Sequence, residues 1–159
     1  DVYMEQLYSF SELDRDPVER TISVAYFALI NLNDHDKELT ESHSAQWFSL
    51  KDMPKLIFDH DAMVQHAIRR LRYRTATQPI GFELLPEKFT IPQLQSLYEA
   101  IFQRKLDPGN FRKKVLSFEV LKKQAEKDKS ASKRGAYYYM FDHEKYQNLL
   151  ESGYNFEIL

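Results

Sequence analysis

Two helix starts stand close together in the second half of the chain, and their spacing limits what it can fold into. Thr90 can cap a helix, and Gln93 three residues later completes a capping box. Apolar residues then recur at three- and four-residue spacing as far as Phe102. Asp107-Pro108 begins another helix almost at once, because aspartate is a favourable cap and proline suits the first helical position. The two helices are therefore predicted to meet in a tight corner.

The residues after this corner complete a recognisable order of elements. The inward stripe of the second helix is predicted to be Phe111, Val115 and Phe118. Residues 120–127 and 136–141 then predict a two-stranded hairpin, in which Gly135 gives the backbone freedom to turn. A last helix is predicted from Asp142 to about Ser152. Helix, turn, helix, hairpin and helix in this order are typical of a winged helix-turn-helix, with the hairpin as the wing.

Positive charge is concentrated in this part of the chain. Between residues 104 and 134 there are eleven Lys and Arg against four Asp and Glu, giving +7 within a chain of net charge −2. A basic block in an otherwise acidic protein is typical of a site for a polyanion, although a solvated charged face is the alternative. We predict that the residues contacting double-stranded DNA are Arg104, Asn110, Arg112, Lys113, Lys114, Lys133 and Arg134. Arginine can grip guanine, asparagine can grip adenine, and lysine mostly neutralises phosphate.

The wing carries three consecutive tyrosines, Tyr137, Tyr138 and Tyr139. They could form a platform on which the bases of a single strand stack. Alternation along a strand more simply buries Tyr138 and exposes its two neighbours, which is the interpretation we favour.

The first half of the chain predicts strands followed by a helix. Alternating or β-branched residues predict strands over 2–10, 21–30 and 45–48. Asp59 or Asp61 can cap a long helix that runs to about Arg74. Its apolar stripe is predicted to be Met63, Ala67, Ile68 and Leu71. Proline and glycine at 79 and 81 break the helical pattern, so the domain boundary is predicted there, between domains 1–78 and 79–159.

Several classes of protein are disfavoured by composition. The chain has no cysteine, which excludes disulfides and thiolate metal sites. The longest apolar run, 24–30, is far shorter than the roughly 20 residues of a membrane helix, so we expect a cytoplasmic protein with no membrane contact. His35 and His60 each lie between two aspartates, but this spacing matches no known ligand pattern, and no metal is predicted.

A resemblance to a known family covers most of the chain. Phe10, Arg15-Asp16-Pro17, Arg20 and the run 22–26 look like the segment that follows the Nudix box in Nudix proteins of the ADP-ribose pyrophosphatase type. Joined to the predicted winged domain, they resemble the Nudix-related transcriptional regulators. The resemblance implies an α+β fold, in which the C-terminal part of a Nudix-like α/β/α sandwich precedes a winged helix-turn-helix. It also implies a homodimeric regulator, a repressor, that binds operator DNA.

The same resemblance implies a small-molecule effector bound by the first domain, either an ADP-ribose-like nucleotide or a pentose sugar. Arg15, Asp16 and Arg20 are the predicted effector residues, because two guanidinium groups beside a carboxylate suit an anionic or hydroxyl-rich ligand. A structural ion pair at the base of the loop is the alternative role for these residues.

The Nudix box, a glycine followed by a helix bearing several glutamates, is not found in this sequence. Catalysis in that superfamily needs those carboxylates to hold Mg²⁺, so we expect no enzyme activity, no catalytic residue and no cofactor. The sequence is expected to be a fragment that begins after the box. Two alternatives stay open: a Nudix hydrolase whose box lies upstream, and a winged module that binds another protein.

Overall fold

The computed structural model of the chain describes residues 3–30, 46–78, 84–130, 133–154 and 156–158. The chain divides into two compact units, Asp1–Arg70 and Leu71–Leu159. The domain boundary predicted from Pro79 and Gly81 lies outside the described residues and stays a prediction. Among the helices of the described ranges, none has the length and apolar character needed to cross a membrane.

The first unit contains an antiparallel hairpin. Strand β1 (Tyr3–Phe10) pairs with β2 (Ser23–Leu29), so that Phe10 lies opposite Ser23. Their alternating and β-branched side chains favour strands, as predicted, and the structure adds that the two strands pair. The register shifts between Gln6 and Tyr8, which marks a bulge in β1.

Helix α1 (His60–Thr77) follows the hairpin in the chain. The ring of His66 lies 5.7 Å from the rings of both Tyr8 and Phe10, stacked on the first and edge-on to the second. Nε of Arg70 donates a 2.6 Å hydrogen bond to Oε1 of Glu5. These contacts hold the middle of α1 against β1.

The end of α1 extends three residues beyond the predicted Arg74. The hydroxyl groups of Thr75 and Thr77 donate to the carbonyls of Leu71 and Tyr73, at 2.7 and 2.9 Å. Such bonds from threonine to the carbonyl four residues earlier let these β-branched residues remain helical. The predicted stripe is half-buried at each of its four members, Met63, Ala67, Ile68 and Leu71.

The strand predicted over 45–48 is wrong for the residues that the structure describes there. Gln46, Trp47 and Phe48 adopt no strand, and Trp47 and Phe48 are 48% and 53% exposed. A strand needs a neighbour for its backbone N–H and C=O groups. Within the described ranges no strand pairs with these residues. Ala45 lies outside the described residues.

The second unit has the two helices, the hairpin and the last helix in the order that the sequence predicted, and it also has a short strand that the sequence did not predict. After the end of α1 come β3 (Phe89–Thr90), α2 (Ile91–Phe102), α3 (Pro108–Ser117), β4 (Leu121–Asp128), β5 (Ala136–Phe141) and α4 (His143–Glu151). The three strands form an antiparallel sheet in the order β3-β5-β4. The β4–β5 hairpin is the wing.

The predicted starts of α2, α3 and α4 are confirmed by their capping bonds. Thr90 accepts from the N–H of Gln93 at 3.4 Å, and the side chain of Gln93 accepts from the N–H of Thr90 at 2.8 Å. The carboxylate of Asp107 accepts from the N–H of Asn110 at 2.8 Å. Asp142 accepts in the same way at 3.1 Å. These bonds satisfy backbone donors that the first turn of a helix leaves free.

The core of this unit is aromatic and includes the end of the chain. Its most buried members are Phe89, Leu94, Tyr98, Val115, Val120 and Phe156. Phe156 packs against Phe118 and Tyr146, with ring centroids 5.4 and 5.2 Å apart. The N–H of Ile158 donates to the carbonyl of Ala76 at 3.0 Å. The sequence had not predicted that residues 156–158 belong to the core.

The predicted burial of Tyr138 is wrong. Tyr139 is the buried tyrosine, at 3% exposure, whereas Tyr138 is half-buried. The register explains the difference, because Tyr139 lies opposite Phe89 of β3 and on the face that packs in the core. Tyr137 shares that face, since side chains two residues apart on a strand point the same way.

Tyr98 supplies a test of this core. Within the described residues its buried hydroxyl has no hydrogen-bond partner, and burial raises the pKa of this hydroxyl. A buried polar group without a partner costs about 1–3 kcal/mol. We therefore expect Tyr98→Phe to raise the free energy of unfolding by about 1 kcal/mol in urea titration, and Tyr98→Leu to lower it because a cavity forms. Destabilisation by Tyr98→Phe would show that the hydroxyl has a partner.

Candidate nucleic-acid interface

The corner between α2 and α3 is held by two side chains of α2. Oε1 of Glu99 accepts from the N–H of Leu106 at 3.0 Å, and Nε2 of Gln95 donates to the carbonyl of Leu106 at 3.0 Å. Nζ of Lys105 pairs with the same carboxylate at 2.8 Å. The bonds that Glu99 accepts, first that from Leu106 and then those from Lys105 and Gln95, lower the pKa of Glu99 to about 2. The residue immediately before the cap of α3 is thus fixed to α2.

Helix α3 has a buried side and a cationic side. Phe111 and Val115 are 4% and 2% exposed, and the ring of Phe111 lies 5.3 Å from that of Tyr98. Arg112, Lys113 and Lys114 are all exposed. Because the apolar stripe fixes the rotation of the helix, the basic residues have to face outward.

The two flanks of the outer side of α3 differ. On one flank, the guanidinium of Arg112 lies 3.4 Å from the hydroxyl of Tyr139 in β5, a long and weak hydrogen bond. On the other flank, Asn110 and Lys114 line a cleft. Lys113 also lines this cleft.

This cleft has a volume of about 590 Å³. Its cations are Arg104, Lys113 and Lys114, and its apolar lining comes from Leu106, Phe111 and Ile158. Five of the seven predicted DNA-contacting residues, Arg104, Asn110, Arg112, Lys113 and Lys114, therefore lie on or beside α3. The structure brings four of them together in the cleft and places Arg112 on the wing side.

The other two predicted residues, Lys133 and Arg134, are exposed near the tip of the wing. Gly135 follows them with a φ of +67°, and a Cβ at this position would lie 2.8 Å from the carbonyl oxygen of Asp128. This close approach and the positive φ require glycine. Residues 131 and 132 of the same turn lie outside the described residues.

The three predicted effector residues have different surroundings in the first unit. Arg15 is buried and makes two hydrogen bonds to the carboxylate of Asp59, at 2.9 and 3.0 Å, and a third to Ser23 at 2.8 Å. The hydrogen bond from Arg15 lowers the pKa of Asp59. Arg15 therefore has the structural role that the sequence left open as an alternative. Because the carboxylate of Asp59 binds Arg15, the side chain of this predicted helix cap points to the guanidinium group.

Asp16 closes the neighbouring turn. Its carboxylate accepts from the N–H of Val18 at 2.9 Å and from the hydroxyl of Thr21 at 3.2 Å, and the bond from Val18 is the largest cause of its lowered pKa. Arg20 is exposed. Arg15 is buried and Asp16 is half-buried, so Arg20 is the most exposed of the three predicted effector residues.

Sequence reasoning missed Gln95 and Glu99. Their signal was their spacing of four residues, which places both on one side of a helix. Both precede the predicted corner by less than three turns. Polar residues in such a position are candidates to bind the backbone of the turn, since a short loop leaves polar groups to satisfy. Within the described ranges no cluster of His, Asp and Glu could hold a metal ion, and His35 lies outside those ranges.

Comparison with protein families finds a match within the second unit. Residues 81–141 match the NrtR DNA-binding winged helix domain. The ADPR responsive transcriptional repressor NtrR of Acinetobacter baylyi is 33% identical over 141 residues. That alignment covers 87% of this chain and 56% of the repressor, so the chain spans little more than half the length of this curated relative.

Solved structures share the fold. A crystal structure of Shewanella oneidensis NrtR with a 27mer DNA superposes with a TM-score of 0.78 at 24% identity, over 97% of this chain and 68% of that one. A second crystal structure of Shewanella oneidensis NrtR gives 0.75 at 25% identity, with the same coverage. A MutT/nudix family protein from Enterococcus faecalis gives 0.53 at 22% identity, over 87% of this chain and 61% of that one. The predicted fold, a Nudix-like part followed by a winged helix, is confirmed.

The Glu99 bonds predict a pH dependence of stability. A carboxylate whose pKa is lowered in the folded state stabilises it above the unfolded value of about 4.5, and this contribution is lost as the pH falls through about 2. We expect the unfolding free energy of the wild type to fall more steeply than that of Glu99→Gln between these pH values. Urea titrations at several pH values measure this, with Glu151→Gln on α4 as the control. Parallel pH profiles for wild type and Glu99→Gln would contradict the assignment.

Proposed function

We propose, from the premise that residues 81–141 form an NrtR-type winged helix domain, that the chain is part of a transcriptional repressor whose binding to operator DNA is controlled by a metabolite. The observation that carries this proposal is α3, the second helix of a helix-turn-helix, with its inner side buried and its outer side cationic. A solvated charged face would not need its cations grouped at this helix and at the wing tip.

Different residues of α3 contact different bases in the major groove. Successive residues of a helix are about 100° apart, so Asn110 and Arg112 point to opposite flanks, with Lys113 between them. The cleft on one flank and Tyr139 on the other support this placement. We infer that Arg112 reads guanine from the wing side, that Asn110 reads adenine from the cleft side, and that they address different base pairs. Lys113 enters the major groove between them.

The remaining basic residues bind the phosphate backbone. Arg104 and Lys114 lie in the cleft beside α3, and Lys133 and Arg134 lie near the wing tip. Such contacts position the protein and release counterions, but carry no sequence information. A two-fold operator would be bound by a homodimer, which is the assembly that we propose for the whole protein, in the cytoplasm.

We propose that the effector is an ADP-ribose-like nucleotide, because the curated relative is ADPR responsive; this favours it over a pentose sugar. Arg15 and Asp16 shape the loop through Asp59, Ser23 and Val18, and Arg20 contacts the anionic ligand. The rival hydrolase activity has support only from fold similarity, since the MutT/nudix protein is 22% identical. We therefore propose a regulator without catalytic residues or cofactor.

The proposed roles predict two kinds of loss in DNA binding. Arg112→Ala should weaken binding to an operator selected from a random duplex pool by about 1–3 kcal/mol and relax preference at one base position. Lys133→Ala and Arg134→Ala should weaken binding to all duplexes and reduce the salt slope by about one each. Fluorescence anisotropy over a salt series measures both effects.

The matched control for these variants is Lys145→Ala, because Lys145 lies on α4 and pairs with Glu119 at 2.9 Å. It removes one charge away from the proposed interface, so the salt slope should stay unchanged. Equal loss on every sequence for Arg112→Ala would assign Arg112 to the phosphate contacts. A wild type that binds no duplex would refute the proposed function.

The different surroundings of Arg15 and Arg20 predict that one residue affects stability and the other affects ligand binding. Arg20→Ala should weaken ADP-ribose binding by about ten- to a hundredfold in the full-length protein, as expected for loss of a charged hydrogen bond, without changing the melting temperature. Arg15→Ala should lower the melting temperature, because it leaves the carboxylate of Asp59 without its guanidinium. Calorimetric titration and thermal unfolding measure the two quantities. Unchanged ADP-ribose affinity in Arg20→Ala would remove Arg20 from the site.

A further inference from the structure

The ring of Tyr137 in the wing carries two lysine ammonium groups. Nζ of Lys123 lies 3.7 Å and Nζ of Lys127 lies 4.3 Å from the centre of this ring. Both lysines are exposed, and the ring itself is partly buried against the core. An ammonium group over an aromatic face is attracted by the negative charge of that face. The two cations are at most about 8 Å apart, since both lie over one ring.

An irregularity in the wing produces this arrangement. Lys123 lies opposite Tyr139, and Lys127 lies opposite Tyr137, so β4 contains two more residues than β5 between these pairs. In a regular antiparallel ladder Ala125 would occupy the place opposite Tyr137. The bulge therefore brings a second lysine to the tyrosine, where regular pairing would have put a methyl group.

The lysines continue a line of contacts that begins on α3. Arg112 reaches the hydroxyl of Tyr139, and Lys123 lies opposite that tyrosine. Lys127 donates to the carbonyl of Arg134, near the tip of the wing, at 3.4 Å. Tyr137 and Tyr139 point to the same face of β5. The cations of this face thus extend from the proposed reading helix to the wing tip.

We propose that Lys123 and Lys127 bind the phosphate backbone of the DNA strand that runs from α3 to the wing tip, and that Tyr137 is the positioning residue for both. This inference rests on the proposed DNA-binding function. A free lysine loses much side-chain freedom when it binds a phosphate, and the ring restricts that freedom beforehand. Each ammonium has three donors, so contact with the ring leaves donors for phosphate oxygens. The lysines also occupy the ring face that a stacked base would need, which disfavours single-strand stacking.

Lys122 offers a matched control on the same strand. It is the neighbour of Lys123, so its side chain points to the opposite face of the sheet. It pairs with the carboxylate of Asp142 at 2.8 Å. Lys122→Gln and Lys123→Gln each remove one positive charge from β4. Only Lys123 lies on the face that we propose to contact DNA.

The experiment measures affinity for a duplex against salt concentration for these variants of the chain. Lys123→Gln and Lys127→Gln should each reduce the slope of log affinity against log salt by about 0.9, and weaken binding about five- to tenfold at 0.1 M salt, on operator and random duplexes alike. Lys122→Gln should leave the slope unchanged. Tyr137→Leu should weaken duplex binding at unchanged net charge, and Tyr137→Phe, which keeps the ring, should restore it. Thermal unfolding checks that each variant is folded, and Lys145→Gln is a second control if Lys122→Gln unfolds.

Four outcomes would overturn the inference. Equal slope changes for Lys122→Gln and Lys123→Gln would mean that only the overall charge matters. Unchanged slopes for Lys123→Gln and Lys127→Gln, with normal wild-type binding, would refute the two phosphate contacts alone. Selective loss of single-stranded DNA binding in Tyr137→Leu would assign the ring to base stacking. Absence of salt-dependent duplex binding by the wild type would refute the proposed function and this inference together.

Discussion

The backbone of Leu106 is the point on which the winged unit depends. Both of its polar groups are bound by side chains of α2, the N–H by Glu99 and the carbonyl by Gln95. The next residue, Asp107, caps α3. Because no residue lies between Leu106 and this cap, the position of Leu106 determines where α3 begins. Packing of Phe111 against Tyr98 then sets the rotation of α3 about its own axis. Direction comes from the corner and rotation from the core, and together they decide where the basic residues point.

Pairing of charges explains how a chain of net charge −2 can present a cationic surface. Lys105, Lys122 and Lys145 are paired with carboxylates of Glu99, Asp142 and Glu119. Within the described part of the chain, no ion pair joins the basic residues of α3 or of the wing tip to an acid. These three carboxylates therefore pair with lysines other than those of α3, and the outer face of α3 stays positive. Because exposed pairs contribute little stability, their main effect is on the shape of the electrostatic field.

Local chemistry in the sequence was sufficient for some features and insufficient for others. The capping bonds of Thr90 and Asp107 involve residues three positions apart, so their pattern is visible in the sequence. The carboxylate that pairs with Arg15, that of Asp59, is 44 residues away, and nothing near Arg15 in the sequence indicates it. From the sequence alone, either Tyr138 or its two neighbours, Tyr137 and Tyr139, could face the core, because all three residues are tyrosine. Only their pairing with Phe89 and the bulge in β4 decide that Tyr139 is buried and that two lysines meet at Tyr137.

Control of DNA binding by a metabolite requires that the ligand-bound and ligand-free states differ in their affinity for DNA. Helix α1 begins in the first unit, and its last turns, from Leu71 onward, belong to the second. There Nε of Arg72 donates to the carbonyl of Ile101 at 2.9 Å, and the carbonyl of Ala76 accepts from Ile158. Ile101 lies in the last turn of α2, two residues after Glu99. A displacement of these turns would therefore act first on the end of α2 that fixes the corner, and through Leu106 on the direction of α3. Coupling of this kind needs no contact between the ligand and α3, because α1 continues from the first unit into the second and Arg72 bonds there to the end of α2.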